Sequence, residues 1–372
     1  MSILIKNGIV VDVERAEAAR ADVLIDGDTI AGVGSGLTGD EVINATDRIV
    51  LPGFVDTHRH TWQSGLRAIL PDADFPSYLR KILGELAPGF TPQDVYEGNL
   101  AGARECLDSG ITTLLDWSQI QHTPEHTDAA VEGLSHAGIR AVYGYSHTDP
   151  VTIAREAARL KPGPLLTLQL AAFGPDFVGR EAALRERAVA EELGLPVTVH
   201  VRGDDGLGVF GEGTTYIHAT SMTDEGLRRV AGEGGMLSVS PFSEVRLGMG
   251  QPPLRRARSA GIAAALGGDT VTGGPGDMFS LMRAMYVLDA GLTTRDLIRV
   301  ATIEGARVAG LEEVTGSIRP GKQADLVLLR TDTLGMASAH DPIGAVVMNA
   351  DVSAVDTVLV AGRVVKKSGH VR

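Results

Sequence analysis

Cysteine is almost missing from this chain, with one, Cys106, in 372 residues. That excludes an internal disulfide framework and any cysteine-rich zinc site. An excess of basic residues is missing too. The formal net charge is −13, so the surface lacks the positive field that a phosphate backbone requires, and nucleic acid is not an expected partner. No run approaches the roughly 18 uninterrupted apolar residues of a membrane span, so no membrane is expected either. The opening MSILIKNGIVVDVERAEAAR has no basic segment followed by an apolar core and a cleavage site, and the expected location is the cytoplasm. Aromatic residues make up only 4% of the chain, which makes the position of each tryptophan informative. What remains is an ordinary globular balance, 44% hydrophobic and 22% charged, in a chain long enough for a large domain with a small companion.

Both ends read as short β-strands with Gly and Asp turns. At the front these are ILIKNGIVVD, ADVLIDG and DEVINATDRIV, with a hairpin IDGDTIAGVG closed through Gly27-Asp28. At the back they are QADLVLLRTD, AVVMNA and VDTVLVAGRVVKKSG. Neither half alone has enough strands to cover a core, so residues 1–51 and 320–372 are expected to build one small composite β-sandwich. Between them, over 52–319, eight apolar strand candidates alternate with helix-like segments: GFVDTH, ITTLLDW, IRAVYGY, LLTLQLAAF, LPVTVHV, TTYIHAT, MLSVS and IAAALGGD. Near-continuous apolar strands separated by helices indicate a parallel sheet covered on both faces. Eight such units fit a closed (β/α)₈ barrel of the TIM type, and no glycine-rich phosphate loop follows the first strand to suggest an open doubly wound sheet. Two connections are unusual. Residues 61–90 form a long segment after the first strand, placed to act as a lid. The filler between His200 and His218, RGDDGLGVFGEGTTY, is too rich in glycine for more than one helical turn.

Active sites of such barrels lie at the C-terminal ends of the strands. There the sequence places LPGFVDTHRH, with His58 and His60 two apart and therefore on one side of a strand. Neutral imidazole ligates divalent metals, and such a pair can grip one ion. His200 closes the fifth strand candidate, His218 the sixth, and Asp269 the eighth. Polar side chains gathering at one rim point to a metal site in a barrel mouth. Asp56, earlier on the first strand, is placed to support a histidine.

With these motifs, LPGFVDTHRH, the strand-end His200 and His218, the ALGGD ending in Asp269 and the tail GSIRPGKQADLVLL, the chain resembles the amidohydrolase superfamily along its whole length, and within it the cytosine deaminase and triazine aminohydrolase branch. The resemblance implies one divalent ion held by His58, His60, His200 and Asp269, with zinc expected and iron or manganese compatible. It implies Asp269 as the proton-transferring base and His218 as a catalytic residue that orients water or substrate. Relatives with two metals use a lysine ending the fourth strand; LTLQLAAF has none. The implied reaction is hydrolysis of a carbon–nitrogen bond in a small cyclic, nitrogen-containing substrate, with cyclic-amide opening or non-hydrolytic isomerase or lyase chemistry as alternatives. Many deaminases of this branch carry a glutamate three positions after the fifth-strand histidine. Here that position is Gly203, followed by Asp204 and Asp205. Substrate-binding candidates are Trp62, Gln63 and Arg67 after the first strand, Trp117 ending the second, and Glu244 after the seventh. The expected partner is a small molecule, and a homodimer is compatible with an acidic barrel.

Overall fold

The structure, a computed structural model, describes residues 2–161 and 163–371. The eight expected strands all form, at Phe54–Arg59, Ile111–Ser118, Arg140–Tyr145, Leu166–Ala172, Val197–Val201, Thr214–His218, Met236–Val239 and Ala264–Leu266. They lie side by side in chain order in one eight-stranded sheet. Where registers are resolved the pairs are parallel, as between Val197–Val201 and Thr214–His218. Every residue of the first three strands is buried, which is why they read as unbroken apolar runs rather than alternating ones. The intervening helices start and stop on their local signals. Pro124–Ala137 opens with proline at its first position and closes on Gly138 at φ 73°, and Asp149 caps Pro150–Arg159 through the amides of Val151 and Thr152.

The first and eighth strands nearly close the sheet into a barrel, and the closure is made at the rim. Asp269 lies three residues beyond its strand, at φ 56°, and bridges Arg59 in parallel. Its amide donates to the His58 carbonyl at 2.7 Å, and its carbonyl accepts from the His60 amide at 2.8 Å. Gly267 permits this approach: a Cβ there would fall 2.8 Å from the backbone of His58. Lower in the wall, the Thr57 hydroxyl bonds the Leu266 carbonyl at 2.9 Å.

The chain ends form a nine-stranded, mostly antiparallel sheet. Leu326–Arg330 pairs antiparallel with Arg48–Pro52 and so joins the two halves. Ile5, Val10, Val23, Ile25 and Val50 share one apolar core with Leu326, Leu328 and Leu359. The expected hairpin turns at Gly27, φ 61°, between the partners Asp26 and Thr29. Contacts divide the chain into two compact units, Met1–Asp56 with Arg104–Thr113 and Asp277–Arg372, and Thr57–Ala103 with Leu114–Gly276. Three helices assigned from sequence to the barrel span, Met278–Leu288, Thr294–Val300 and Ile303–Val308, thus group with the terminal sheet. Side chains tie two of them to the C-terminal segment: Arg283 donates to the Ala350 carbonyl at 2.7 Å, and Arg295 pairs with Asp341.

The Gly-rich fifth crossover contains a single 3₁₀ turn, Asp204–Gly206. Among the described residues, no helix is long and apolar enough to cross a membrane.

Candidate metal centre

The strand ends bring all five rim residues together. The Nε2 atoms of His58 and His60 lie 3.3 and 3.4 Å from Asp269 Oδ1. His200 Nε2 lies 3.3 Å from His58 Nε2, and His218 Nε2 lies 4.0 Å from Asp269 Oδ2. An ion bonded at about 2.0–2.1 Å to four ligands in a tetrahedron has those ligands about 3.3–3.4 Å apart. The first three of these separations match that edge length, and two clusters of mutually close ligand atoms, His58–His60–Asp269 and His58–His200–His218, share His58, a donor set suited to a divalent ion. His218 stands farther from Asp269 than His58 and His60 do.

The electrostatics suit the same purpose. Burial is the main influence on His58 and lowers its pKa to about 4 against the opposing pull of Asp269. His60 and His200 are lowered by burial as well. The imidazoles are therefore neutral, the form that ligates metal. Burial would raise Asp269, but its hydrogen bond to His58 and the neighbouring imidazoles outweigh that and hold it well below the usual carboxylate range. Burial would also lower His218. The Glu244 hydrogen bond and the Asp269 charge overcome it and move His218 upward.

Two of the rim histidines, His60 and His218, are steered from behind, as metal-binding histidines usually are. His60 Nδ1 meets the Trp117 carbonyl at 2.8 Å and Gln119 Oε1 at 2.9 Å. His218 Nδ1 meets Glu244 Oε1 at 3.1 Å, and the Ser240 amide donates to the same oxygen at 2.7 Å. His218 and the following Ala219 take left-handed backbone angles, φ 69° and 51°. Such non-glycine conformations cost on the order of 1 kcal/mol each and collect at functional sites.

Above the imidazoles opens a cavity of about 680 Å³ including its mouth. It is lined by Trp117, Phe173 and Phe177, by Phe75, Tyr78, Leu79 and Leu83 from the long segment after the first strand, and by Leu247 and Met249. That segment is the expected lid, and it is fastened down. Phe75 N bonds the Leu247 carbonyl at 3.0 Å, and Leu70 N bonds the Thr272 carbonyl at 3.0 Å. Residues 79–86 wind as a π-helix, a distortion frequent at functional sites.

Of the substrate-binding candidates, only Trp117 lies on the cavity wall, its ring 4.4 Å from that of His200. The others sit elsewhere for identifiable reasons. Trp62 is buried, its ring packs edge-on against Phe90, and its indole donates to Gln119 at 3.1 Å. Gln63 is a strut under the lid: it donates to the Tyr78 hydroxyl at 2.8 Å and accepts from the Thr270 hydroxyl at 2.6 Å. Arg67 is exposed and borders a separate depression with Phe242, Arg246 and Pro275. Glu244 is fully buried behind His218 rather than facing a ligand. Asp204 does not replace the missing glutamate either. Its carboxylate holds Thr223, the residue that caps the helix Asp224–Gly232, by accepting from the Thr223 amide at 2.9 Å. Gln119, Arg202, Phe173 and Phe177 were not among the sequence candidates. Arg202 carried a readable signal, since it follows His200 by two residues and a strand's period of two keeps both on one side. Phe177, on a four-residue helix Pro175–Val178, carried none.

Asp116, one residue before Trp117, accepts from the Thr61 amide at 3.0 Å and is fully buried. Burial raises its pKa to about 6, only partly offset by that hydrogen bond. A carboxyl whose pKa is higher in the folded than in the unfolded state binds protons preferentially when folded. It therefore subtracts stability as pH rises from about 4 through 6, by about 3 kcal/mol for a shift of this size. Asp116→Asn keeps an acceptor for Thr61 without the charge. We expect denaturant unfolding to find it more stable than the parent at pH 8 and equal to it at pH 4; equal stability at both would show that the carboxylate is not strained.

The profile of the Amidohydrolase family matches residues 49–365. The 5-methylthioadenosine/S-adenosylhomocysteine deaminase of Pyrococcus furiosus is 26% identical over 99% of this chain and 96% of its own length. That of Thermococcus kodakarensis is 28% identical over 98% and 94%. Among solved structures, a zinc-bound adenosine deaminase from Xanthomonas campestris superposes with a TM-score of 0.91 at 23% identity, covering 100% of this chain and 94% of its own. Atrazine chlorohydrolase from Arthrobacter aurescens, crystallised as a mutant with zinc and atraton, superposes with 0.90 at 22%, covering 99% and 96%. With a family match across most of its length, and the histidine–aspartate cluster at the barrel mouth, the chain belongs to the Amidohydrolase family and is a metal-dependent hydrolase of carbon–nitrogen bonds other than peptide bonds.

Proposed function

We propose that this enzyme is a zinc-dependent aminohydrolase that removes an exocyclic amino group, as ammonia, from a planar nitrogen heterocycle. The observation that carries the reading is an aromatic slot in which Trp117, Phe173, Phe177, Phe75 and Tyr78 line the same cavity as His60, His200, His218 and Asp269. Aromatic walls stack on flat rings. The near full-length similarity to deaminases of 5-methylthioadenosine and S-adenosylhomocysteine supports amino-group hydrolysis over other outcomes. His58, His60, His200 and Asp269 hold the ion, and when bound, zinc supplies the Lewis acidity that makes a water molecule a nucleophile near neutral pH. Asp269, through the oxygen facing His218, accepts the water proton and returns it to the departing nitrogen. Held well below the usual carboxylate range, it is a weak base and serves only against an acidified water. His218, fixed by Glu244, donates from Nε2 toward the reacting centre. Trp117 and the lid hold the ring and exclude bulk water.

A second reading has an observation in its favour. Gly203 offers no side-chain acid to protonate a ring nitrogen, and Asp204 is engaged by Thr223. Opening of a cyclic amide needs no such donor. The test is ammonia release by metal-loaded enzyme across a panel of aminated pyrimidines, purines and triazines and a parallel panel of lactams and imides. Deamination predicts ammonia from an aminated ring with uptake of labelled oxygen from water. Ring opening of a lactam without ammonia would favour the second reading, and turnover without oxygen uptake would contradict both.

A further inference from the structure

We propose that Arg202 reads an anionic substituent, of carboxylate type, on the heterocyclic substrate. The inference rests on the reading above only in placing the ring within the aromatic slot.

Arg202 lies at the cavity mouth, two residues beyond His200. Its backbone is held on both sides. The amide donates to Asp176 Oδ2 at 2.8 Å, on the short helix that carries Phe177, and the carbonyl accepts from the Ser221 amide at 2.7 Å. Its side chain is exposed, and among the described residues no carboxylate or carbonyl engages the guanidinium. On the same unit Arg159, Arg187, Arg229 and Arg256 each pair with a carboxylate, while Arg180 bonds carbonyls and Arg80 a serine hydroxyl; none of these six borders the cavity. In a chain of net charge −13, with the nearby Asp176 carboxylate taken by the Arg202 backbone amide, a guanidinium at the entrance of a site that pairs with no carboxylate is open to a partner from outside.

The rest of the wall points the same way. The Tyr78 hydroxyl is turned to Gln63, and the Gln119 carbonyl is occupied by His60 and Trp62. Apart from the rim imidazoles and Asp269, the charged group left for a ligand in this cavity is the Arg202 guanidinium, amid Phe173, Phe177, Leu247 and Met249. A ligand rich in hydroxyl donors would find few acceptors on that wall. One with a flat apolar body and an acceptor oxygen pair at its outer edge would match it, because a guanidinium binds a carboxylate through two parallel hydrogen bonds.

The test uses the metal-loaded enzyme with paired probes, the 5-carboxylate and 5-carboxamide of 4-aminopyrimidine and the corresponding triazine pair. Binding is measured by calorimetry and ammonia release is read separately. A partly exposed charge-assisted contact predicts about tenfold tighter binding of at least one carboxylate over its amide. Arg202→Met should bring that ratio to about 1, and Arg202→Lys should restore part of it. Metal content and melting temperature of each variant identify any that fails to fold, and the Lys variant then decides. Equal affinity within both pairs, no binding of either carboxylate, or discrimination that survives in Arg202→Met would each overturn the role of Arg202. Absence of ammonia from every aminated ring counts against the deaminase reading alone, since the affinity ratio is measured without turnover.

Discussion

Asp269→Asn is expected to lower kcat by about 10³-fold or more, in the upper range for a positioned general acid–base, while the protein still folds. The two halves of that expectation come from different atoms of one residue. Barrel closure uses the Asp269 backbone, whose amide and carbonyl bond His58 and His60, and asparagine leaves those bonds in place. Proton transfer uses the carboxylate, and an amide cannot accept a proton at neutral pH. Asparagine also ligates a cation more weakly, so the assay is run at saturating metal to separate lost affinity from lost chemistry. A melting temperature within a few degrees of the parent and no detectable turnover is the predicted pair of results. A near-native rate would remove Asp269 from the reaction.

The second large effect is expected from His58→Ala. His58 is central to the cluster, in contact range of Asp269 and His200, and its ring stands edge-on to those of His60, His200 and His218. Its loss removes one ligand and leaves Asp269 without the hydrogen bond that most favours its charged form. The variant should purify without bound metal and show no activity. It should also fail to gain stability on metal addition, whereas the parent, stripped by chelator, should recover about 5–10 °C in melting temperature when metal is restored at roughly a thousandfold over its dissociation constant. Elemental analysis and a thermal melt decide it. Metal retained at parental stoichiometry would show that the ion is held elsewhere.

Much of this was legible in the sequence because the relevant signals are local. A buried parallel strand is an apolar run, and a ligand at its end is a polar residue where the run stops. So TVH announced both a strand and a candidate ligand, His200, and TYIH both a strand and a candidate catalytic histidine, His218. His58 and His60 were legible together through the two-residue period. Asp269 was harder, since the eighth strand stops at Leu266 and two glycines carry the chain on to the rim. The cavity wall was mostly illegible. Trp62, Gln63 and Arg67 are adjacent to the ligand strand in sequence, yet the 3₁₀ turn Thr61–Leu66 directs them into the interior, under the lid or out to solvent. Glu244 looked like a ligand-facing acid, but its helix starts at Pro241 and turns it back toward Ser240 and His218. Side chains supplied by the connections after strands, such as Phe177 on its four-residue helix and Leu247 at a helix end, follow no period that a sequence can display.

The arrangement also explains how one rim residue can serve fold and chemistry together. Closing the barrel at Asp269 sets its carboxylate against His58, His60 and His218, of which His60 is fixed from behind by Trp117 and Gln119 and His218 by Glu244. Little reorganisation is left for the moment of reaction, the condition under which charged groups are most effective in catalysis.

Anomalous diffraction from metal-loaded crystals, collected above and below the metal edge, tests the central claim most directly. The account predicts one peak at the barrel mouth, within bonding reach of Nε2 of His58, His60 and His200 and of Oδ1 of Asp269. A mouth with no peak, or a peak bound by residues other than these four, would contradict it.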